Sequence, residues 1–170
     1  MNTKYGFLNG IEEAEYYLSG QLRSSKPTIL STRYGPLFPQ FETIDERRKL
    51  TGSIEFYEDG SLMSINLTKQ VFINTSAGTI PAEKILFYQN GNIKRLFPLN
   101  GKLSGYWCEE NEYALSEVTN LSLGQHLISA KIISISFYES CTVKSITLWP
   151  KERVTLHTPF GDFLIRKGLS

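Results

Sequence analysis

The apolar and polar positions of this chain follow one recurring figure. An aromatic pair, a short polar stretch and an aliphatic residue occur in succession four times: Tyr16-Tyr17-Leu18-Ser19-Gly20-Gln21-Leu22, Phe56-Tyr57-Glu58-Asp59-Gly60-Ser61-Leu62, Phe87-Tyr88-Gln89-Asn90-Gly91-Asn92-Ile93 and Phe137-Tyr138-Glu139-Ser140-Cys141-Thr142-Val143. Aromatic residues favour a pleated, half-buried surface, and Asp-Gly or Asn-Gly marks a tight reversal, so each copy predicts a β-hairpin with a type I′ turn. In the fourth copy Cys141 stands where the others carry glycine. That turn is expected to strain, lengthen or change type.

After the aliphatic residue, Ser64-Ile65-Asn66-Leu67 and Ser145-Ile146-Thr147-Leu148 alternate polar and apolar, as a half-buried strand does. A second figure follows, with threonine, glycine and an aliphatic residue, at Thr32-Arg33-Tyr34-Gly35-Pro36-Leu37, Thr75-Ser76-Ala77-Gly78-Thr79-Ile80 and Thr158-Pro159-Phe160-Gly161-Asp162-Phe163. Tyr5-Gly6-Phe7-Leu8 is a shorter echo ahead of the first aromatic pair. The unit is therefore strand, turn, strand, turn, and such units bury their apolar faces only by stacking on one another. The expected fold is all-β: an antiparallel sheet of repeated hairpins, either a single sheet or solenoid-like. One or two short helical turns are expected in the insertions. The hairpin units fall near residues 4–25, 32–67, 75–107 and 132–148, with a partial unit at 158–170, all in one repeat-built domain.

Three segments test the phase of the repeat. Residues 11–18 place apolar side chains at helical spacing, yet the repeat demands a strand at Tyr16 and Tyr17, and the repeat is followed here. The charge-rich stretch 42–50 is an insertion that forms a short helical turn or a loop. The stretch 109–124 is the longest interruption, with a helical turn or two expected from Glu112 to Val118.

The motif aromatic-Tyr-x-x-Gly-x-aliphatic, carried best by Phe56–Leu62 and Phe87–Ile93, resembles the variant form of the membrane occupation and recognition nexus (MORN) repeat of many bacterial proteins. The longer unit with its Thr-x-x-Gly half also looks like a bacterial family of uncharacterised repeat proteins. The resemblance implies an elongated antiparallel sheet that serves as a binding surface; it implies no activity. The spacing here is longer and less regular than in that family, and the flanking Gly-x-Gly signature is missing.

Composition narrows the function classes. With 18 basic and 17 acidic residues among 170, the formal charge is +1, which argues against a nucleic-acid binder or a polybasic membrane module. No apolar stretch reaches the length of a membrane span, since the run from Leu127 to Phe137 is short and broken by Lys131. Cys108 and Cys141 form no CxxC pair, and the opening residues carry no secretory pattern, so a reducing cytoplasm is expected.

Neither phosphate-binding glycine loops nor the common hydrolase or zinc motifs occur, and no cofactor is expected. The residues that catalysis would draw on are His126, His157 and Cys141. Glu109, Glu110 and Glu112 are carboxylates that a hard cation would use, in a spacing that reads as solvated loop charge. The most interaction-like stretch holds Lys94, Arg95, Lys102, Tyr106 and Trp107: an aromatic and basic patch, with Leu96-Phe97 facing Tyr106-Trp107 across an Asn-Gly turn. Its alternative is a cross-strand aromatic cluster in the core, rimmed by cations. Trp149-Pro150-Lys151-Glu152-Arg153 reads the same two ways.

The function expected first is a non-catalytic module for protein–protein interaction, with protein as the partner. An enzyme or small-ligand site assembled from distant residues is the alternative, and peripheral membrane association the second alternative. Thr158-Pro159-Phe160-Gly161 opens another half-unit, so the final segment is either a cap or part of a longer array, the latter being favoured slightly. The ligand and the oligomeric state lie beyond the sequence.

Overall fold

The computed structural model describes residues 2–3, 6–7, 12–26, 29–40, 54–100, 109–158 and 160–166. In chain order its strands are β1 (Asn2–Thr3), β2 (Gly6–Phe7), β3 (Glu12–Tyr16), β4 (Leu22–Lys26), β5 (Leu30–Thr32), β6 (Gly35–Leu37), β7 (Ile54–Phe56), β8 (Leu62–Thr75), β9 (Gly78–Phe87) and β10 (Ile93–Phe97). The helix α1 (Glu109–Leu115) precedes β11 (Val118–Leu123), β12 (His126–Phe137), β13 (Val143–Leu148), β14 (Arg153–Thr158) and β15 (Gly161–Arg166). All pairings are antiparallel, and the all-β expectation holds.

The main sheet runs β11-β12-β10-β9-β8-β7-β4-β3, with β13 also on β12, beside the two-stranded β1-β2, β5-β6 and β14-β15. Each aromatic figure is the reversal between β3 and β4, β7 and β8, β9 and β10, or β12 and β13. At every joint between successive hairpins the same register returns: Ser24 opposite Glu55, Ser64 opposite Leu86, Arg95 opposite Ser136. Each pair joins the seventh residue after one copy's second tyrosine to the second residue before the next copy's. The inward positions follow that phase. Phe56, Phe87 and Phe137 are buried just before the tyrosine, and Ile54, Ile85 and Ile135 are fully buried two residues earlier.

The threonine-glycine figures are hairpins too, and their ends are register partners: Thr3 opposite Gly6, Thr32 opposite Gly35, Thr75 opposite Gly78 and Thr158 opposite Gly161. In the second and third, the threonine hydroxyl accepts from the N–H two residues on and donates to the glycine carbonyl, so one side chain ties both sides of the reversal. The reversal between β11 and β12 departs from this. It uses Gly124 (φ 64) at the first central position, the glycine placement of a II′ turn.

A single sheet does not describe the whole arrangement. In the β8–β9 ribbon Asn66 faces Lys84 and the next pair is Val71 with Ala82, so residues 67–70 oppose Glu83 alone. Such a bulge bends a ribbon. The outer edge of β8 at the bend is held by the preceding segment, with Gln40 N donating to Asn66 O and Thr68 N to Phe38 O, both at 2.9 Å. The tip of the ribbon returns over the sheet, and Ser76 Oγ donates to Cys141 O at 2.6 Å. The core lies between tip hairpins and sheet: Leu30, Leu37, Ile73, Ala77 and Ile80 from the tips meet the sheet's buried aliphatic and phenyl groups in one cluster.

Several expectations need correcting. The aromatic turns are three-residue loops rather than type I′ turns: in each, the tyrosine N–H donates across the loop, as from Tyr57 to Ser61 O at 2.7 Å, and only the last loop residue has positive φ. Asp-Gly and Asn-Gly located the reversal, but a single left-handed residue suffices for this loop. The fourth turn neither lengthens nor changes type. Cys141 N donates to Tyr138 O at 2.9 Å as the glycines do, and Cys141 takes φ 67, so strain is what distinguishes it. Helix α1 begins at Glu109 and ends before β11, earlier than expected, because Val118 already pairs with Lys131. Ser64-Ile65-Asn66-Leu67 is buried throughout rather than half-buried. The strand at residues 12–16 follows the repeat, while the insertion at 42–50 lies outside the described residues.

Candidate interaction surface

The four aromatic turns stand side by side along one border of the sheet, and their second tyrosines form a ladder. Tyr17 Oη donates to Phe56 O at 2.7 Å, Tyr57 Oη to Phe87 O at 2.9 Å and Tyr88 Oη to Phe137 O at 2.9 Å. Each hydroxyl thus binds the carbonyl of the aromatic residue that opens the next copy. This explains a feature of the sequence whose role was not apparent. The first aromatic position is phenylalanine in three copies, whereas the second is tyrosine in all four. Only the second needs a donor.

Acidic and basic groups sit along this row. Burial first, then the charge of Asp59, then Tyr88, Glu139 and Tyr17, raise the Tyr57 phenol above its ordinary value. Lys94 lies over the Tyr88 ring at 5.6 Å and Lys144 over the Tyr138 ring at 5.5 Å, at equivalent places in their copies. Arg95 is exposed, donates from Nε to Ser136 Oγ at 2.6 Å and lies 5.9 Å from the Phe97 ring centroid. The tips add to the row: Arg33 donates to Asn92 Oδ1 and lies over Tyr34 at 5.1 Å, and Asn92 Nδ2 donates to Glu139 O at 2.6 Å.

Two shallow clefts lie between tips and turns. One, of about 300 Å³, is walled by Thr32, Arg33, Tyr34, Leu62, Phe87 and Asn90. The other, of about 180 Å³, is walled by Tyr34, Thr75, Ser76, Ile93, Phe137 and Cys141. Tyr34 divides them, its ring 6.0 Å from that of Phe87.

Of the expected patch, Lys94 and Arg95 are displayed on β10, while Lys102, Tyr106 and Trp107 lie outside the described residues. The hairpin expected between Leu96-Phe97 and Tyr106-Trp107 is excluded at Leu96, whose backbone is paired with Ile85 on one side and Ile135 on the other. Cys108 also lies outside the described residues. His126 is half-buried at the start of β12, and its side chain has no hydrogen bond or ion pair among the described residues. His157 is placed on β14 opposite Asp162 by backbone register alone. Cys141 is an exposed free thiol whose Sγ lies 4.0 Å from Glu139 O.

The acidic stretch is helical. Glu110 meets Lys151 at 3.8 Å, and among the described residues no group of three His, Cys, Asp or Glu is placed to hold a metal. Trp149 is buried; its Nε1 donates to Ser116 Oγ at 3.1 Å and its ring meets Tyr113 edge-on at 6.1 Å. Glu152 accepts from Tyr113 Oη at 2.7 Å and from Lys131 N at 3.1 Å, which raises the Tyr113 phenol, chiefly through the hydrogen bond. Lys131 Nζ donates to Tyr113 O at 3.0 Å and lies over its ring at 4.4 Å. This cluster fastens α1 to the sheet. Its traces in the sequence are Lys131, the charge that breaks an apolar run, and the stretch from Trp149 to Arg153, which is buried at Trp149.

The fold and this border define an all-β hairpin-repeat protein with a tyrosine-laddered edge. No family model, curated protein or solved structure matches the chain. No helix among the described residues is long and apolar enough to cross a membrane.

Proposed function

We propose that the chain is a non-catalytic β-repeat module for protein–protein interaction, acting in a reducing cytoplasm, and that the laddered row of turns is its binding border. The observation that carries this reading is the row's hydrogen-bonded ladder combined with its side chains. Three hydrogen bonds to the carbonyls of buried phenylalanines set the spacing of the turns, while Lys94, Arg95 and Lys144 are exposed beside the tyrosine rings. A preorganised surface of aromatic rings and cations binds a partner with little loss of side-chain freedom. The motif at Phe56–Leu62 and Phe87–Ile93 resembles hairpin repeats of the variant MORN type, which mostly act as binding surfaces, and this supports the reading.

The test is affinity capture from native cell extract at low salt, with the parent chain and a Lys94→Glu, Arg95→Glu double variant as parallel baits. A protein retained by the parent and lost from the variant is the expected result. If every retained protein binds both baits equally, or none is retained, the border is not the binding surface.

A further inference from the structure

The ladder has a direction, and its two ends are complementary. We propose that the β13 edge of one molecule receives the β3–β4 hairpin of a second copy, which continues the sheet head to tail. At the β13 end, Tyr138 has a hydroxyl that no described residue accepts, and the residue is 51% exposed. At the β3 end, Tyr16 holds the position of Phe56, Phe87 and Phe137, whose carbonyls accept the three internal tyrosine bonds. Tyr16 is 53% exposed, whereas those three are nearly inaccessible. Among the described residues, one end offers a tyrosine hydroxyl without an acceptor and the other a carbonyl without a tyrosine donor.

The internal joints supply the register. Carried across to a second copy, the pairs Ser24–Glu55, Ser64–Leu86 and Arg95–Ser136 become Ser145 opposite the second copy's Glu15. The pairs Ile65–Ile85 and Leu96–Ile135 become Ile146 opposite Ala14. Ile146 and Ala14 are both half-buried and already packed on the core at its two ends, so their meeting completes an inward-facing pair. Strand sense also agrees. In each internal joint the second strand of one hairpin meets the first strand of the next, and β13 is a second strand while β3 is a first. Two such pairs suffice, because β10 and β12 join through two and β4 and β7 through one.

Charge favours the same occupant. The β3 edge exposes Glu15, with Glu13 paired to Lys26 of the same molecule, and β13 exposes Lys144 beside the Ser145 position. The bulge at Glu13 (φ 51) ends the usable edge just beyond Ala14. The contact is heterologous, so it adds copies head to tail, as a chain or a ring, rather than stopping at a two-fold dimer. It shares Tyr138 and Lys144 with the border assigned to a protein partner but not Lys94 and Arg95, whose substitution tests that border, so either assignment can fail alone.

The experiment is register-specific crosslinking of the full chain with Cys108 and Cys141 replaced by serine. Ala14→Cys and Ile146→Cys proteins, each first shown to melt like the parent, are mixed under oxidising conditions. The expected product is a disulfide heterodimer from the mixture and none from either protein alone, since directly opposed cross-strand residues come within bonding reach. Adding Lys144→Glu to the Ile146→Cys protein should lower the yield about two- to fivefold, and Glu15→Lys in its partner should restore it. Crosslinking of Ile146→Cys with itself would mean two-fold edge pairing and overturn the proposal. So would absence of the mixed product.

Discussion

A hydroxyl at one position decides how successive hairpins are spaced. Removing it from Tyr57 or Tyr88 by substitution with phenylalanine leaves a buried carbonyl without its donor and should cost about 1 kcal/mol, or a fall in melting temperature of about 2–4 °C. Tyr138→Phe removes the same atom where no described residue accepts from it and should leave the melting of dilute protein unchanged. Differential scanning calorimetry of the three variants checks both expectations. The ladder also gives the fold an alkaline limit. The phenol of Tyr57 is raised in the folded chain, so between its ordinary value near 10 and its folded value the unfolded chain releases the proton first. Its contribution is complete below about pH 10 and is lost as pH rises through the folded value. Urea midpoints measured across that range should fall more gently in Tyr57→Phe. At Cys141 the opposite correction is available. A left-handed conformation costs a non-glycine residue about 1–2 kcal/mol, partly offset by the freedom that glycine adds to the unfolded chain. Cys141→Gly should therefore raise the unfolding free energy by about 0.5–1 kcal/mol in chemical denaturation.

Elements in this protein are legible to the extent that their side chains repeat. Among the described residues, aromatic pairs and threonine-glycine pairs locate eight of the nine reversals, because each reversal needs a left-handed residue or a capping hydroxyl and few residue types supply them. The ninth, at Gly124, uses a different turn and has no threonine to announce it. The bend of the β8–β9 ribbon was not legible, since residues 67–70 form a bulge only because Phe38 and Gln40 hold its outer edge. Helix α1 was misplaced for a similar reason. Seven residues are too few to be helical on local propensity, and its bounds are set by Trp149, Lys131 and Glu152. Glu152→Ala removes the acceptor for both Tyr113 Oη and Lys131 N. Amide protection should then be lost across Glu109–Leu115 in hydrogen exchange, while the β8–β9 amides keep theirs. Equal loss in both segments would mean that α1 is coupled to the whole sheet and not held by this cluster.

At the scale of the whole molecule, the question is whether stacked units unfold one by one. In a linear array where each unit touches only its neighbours, they can. Here the tips reach further. The Thr32–Gly35 tip leaves the chain between the first and second sheet hairpins, yet Arg33 and Tyr34 meet Asn92 and Phe87 of the third. The Thr75–Gly78 tip leaves between the second and third, and Ser76 meets Cys141 of the fourth. Each of these two tips thus skips a hairpin, so opening the third or the fourth hairpin releases a tip that leaves the chain two hairpins earlier. Leu30, fully buried at the base of the first of these tips, is the place to measure the coupling. Leu30→Ala should cost about 2–4 kcal/mol, the range for a large-to-small change in a packed core. The loss should appear in the whole transition. Tryptophan fluorescence, whose reporters lie far along the chain at Trp107 and Trp149, should shift its midpoint together with far-ultraviolet circular dichroism. Were the contacts between tips and turns too weak to couple the units, the dichroism would gain an early step while the fluorescence midpoint stayed where it was.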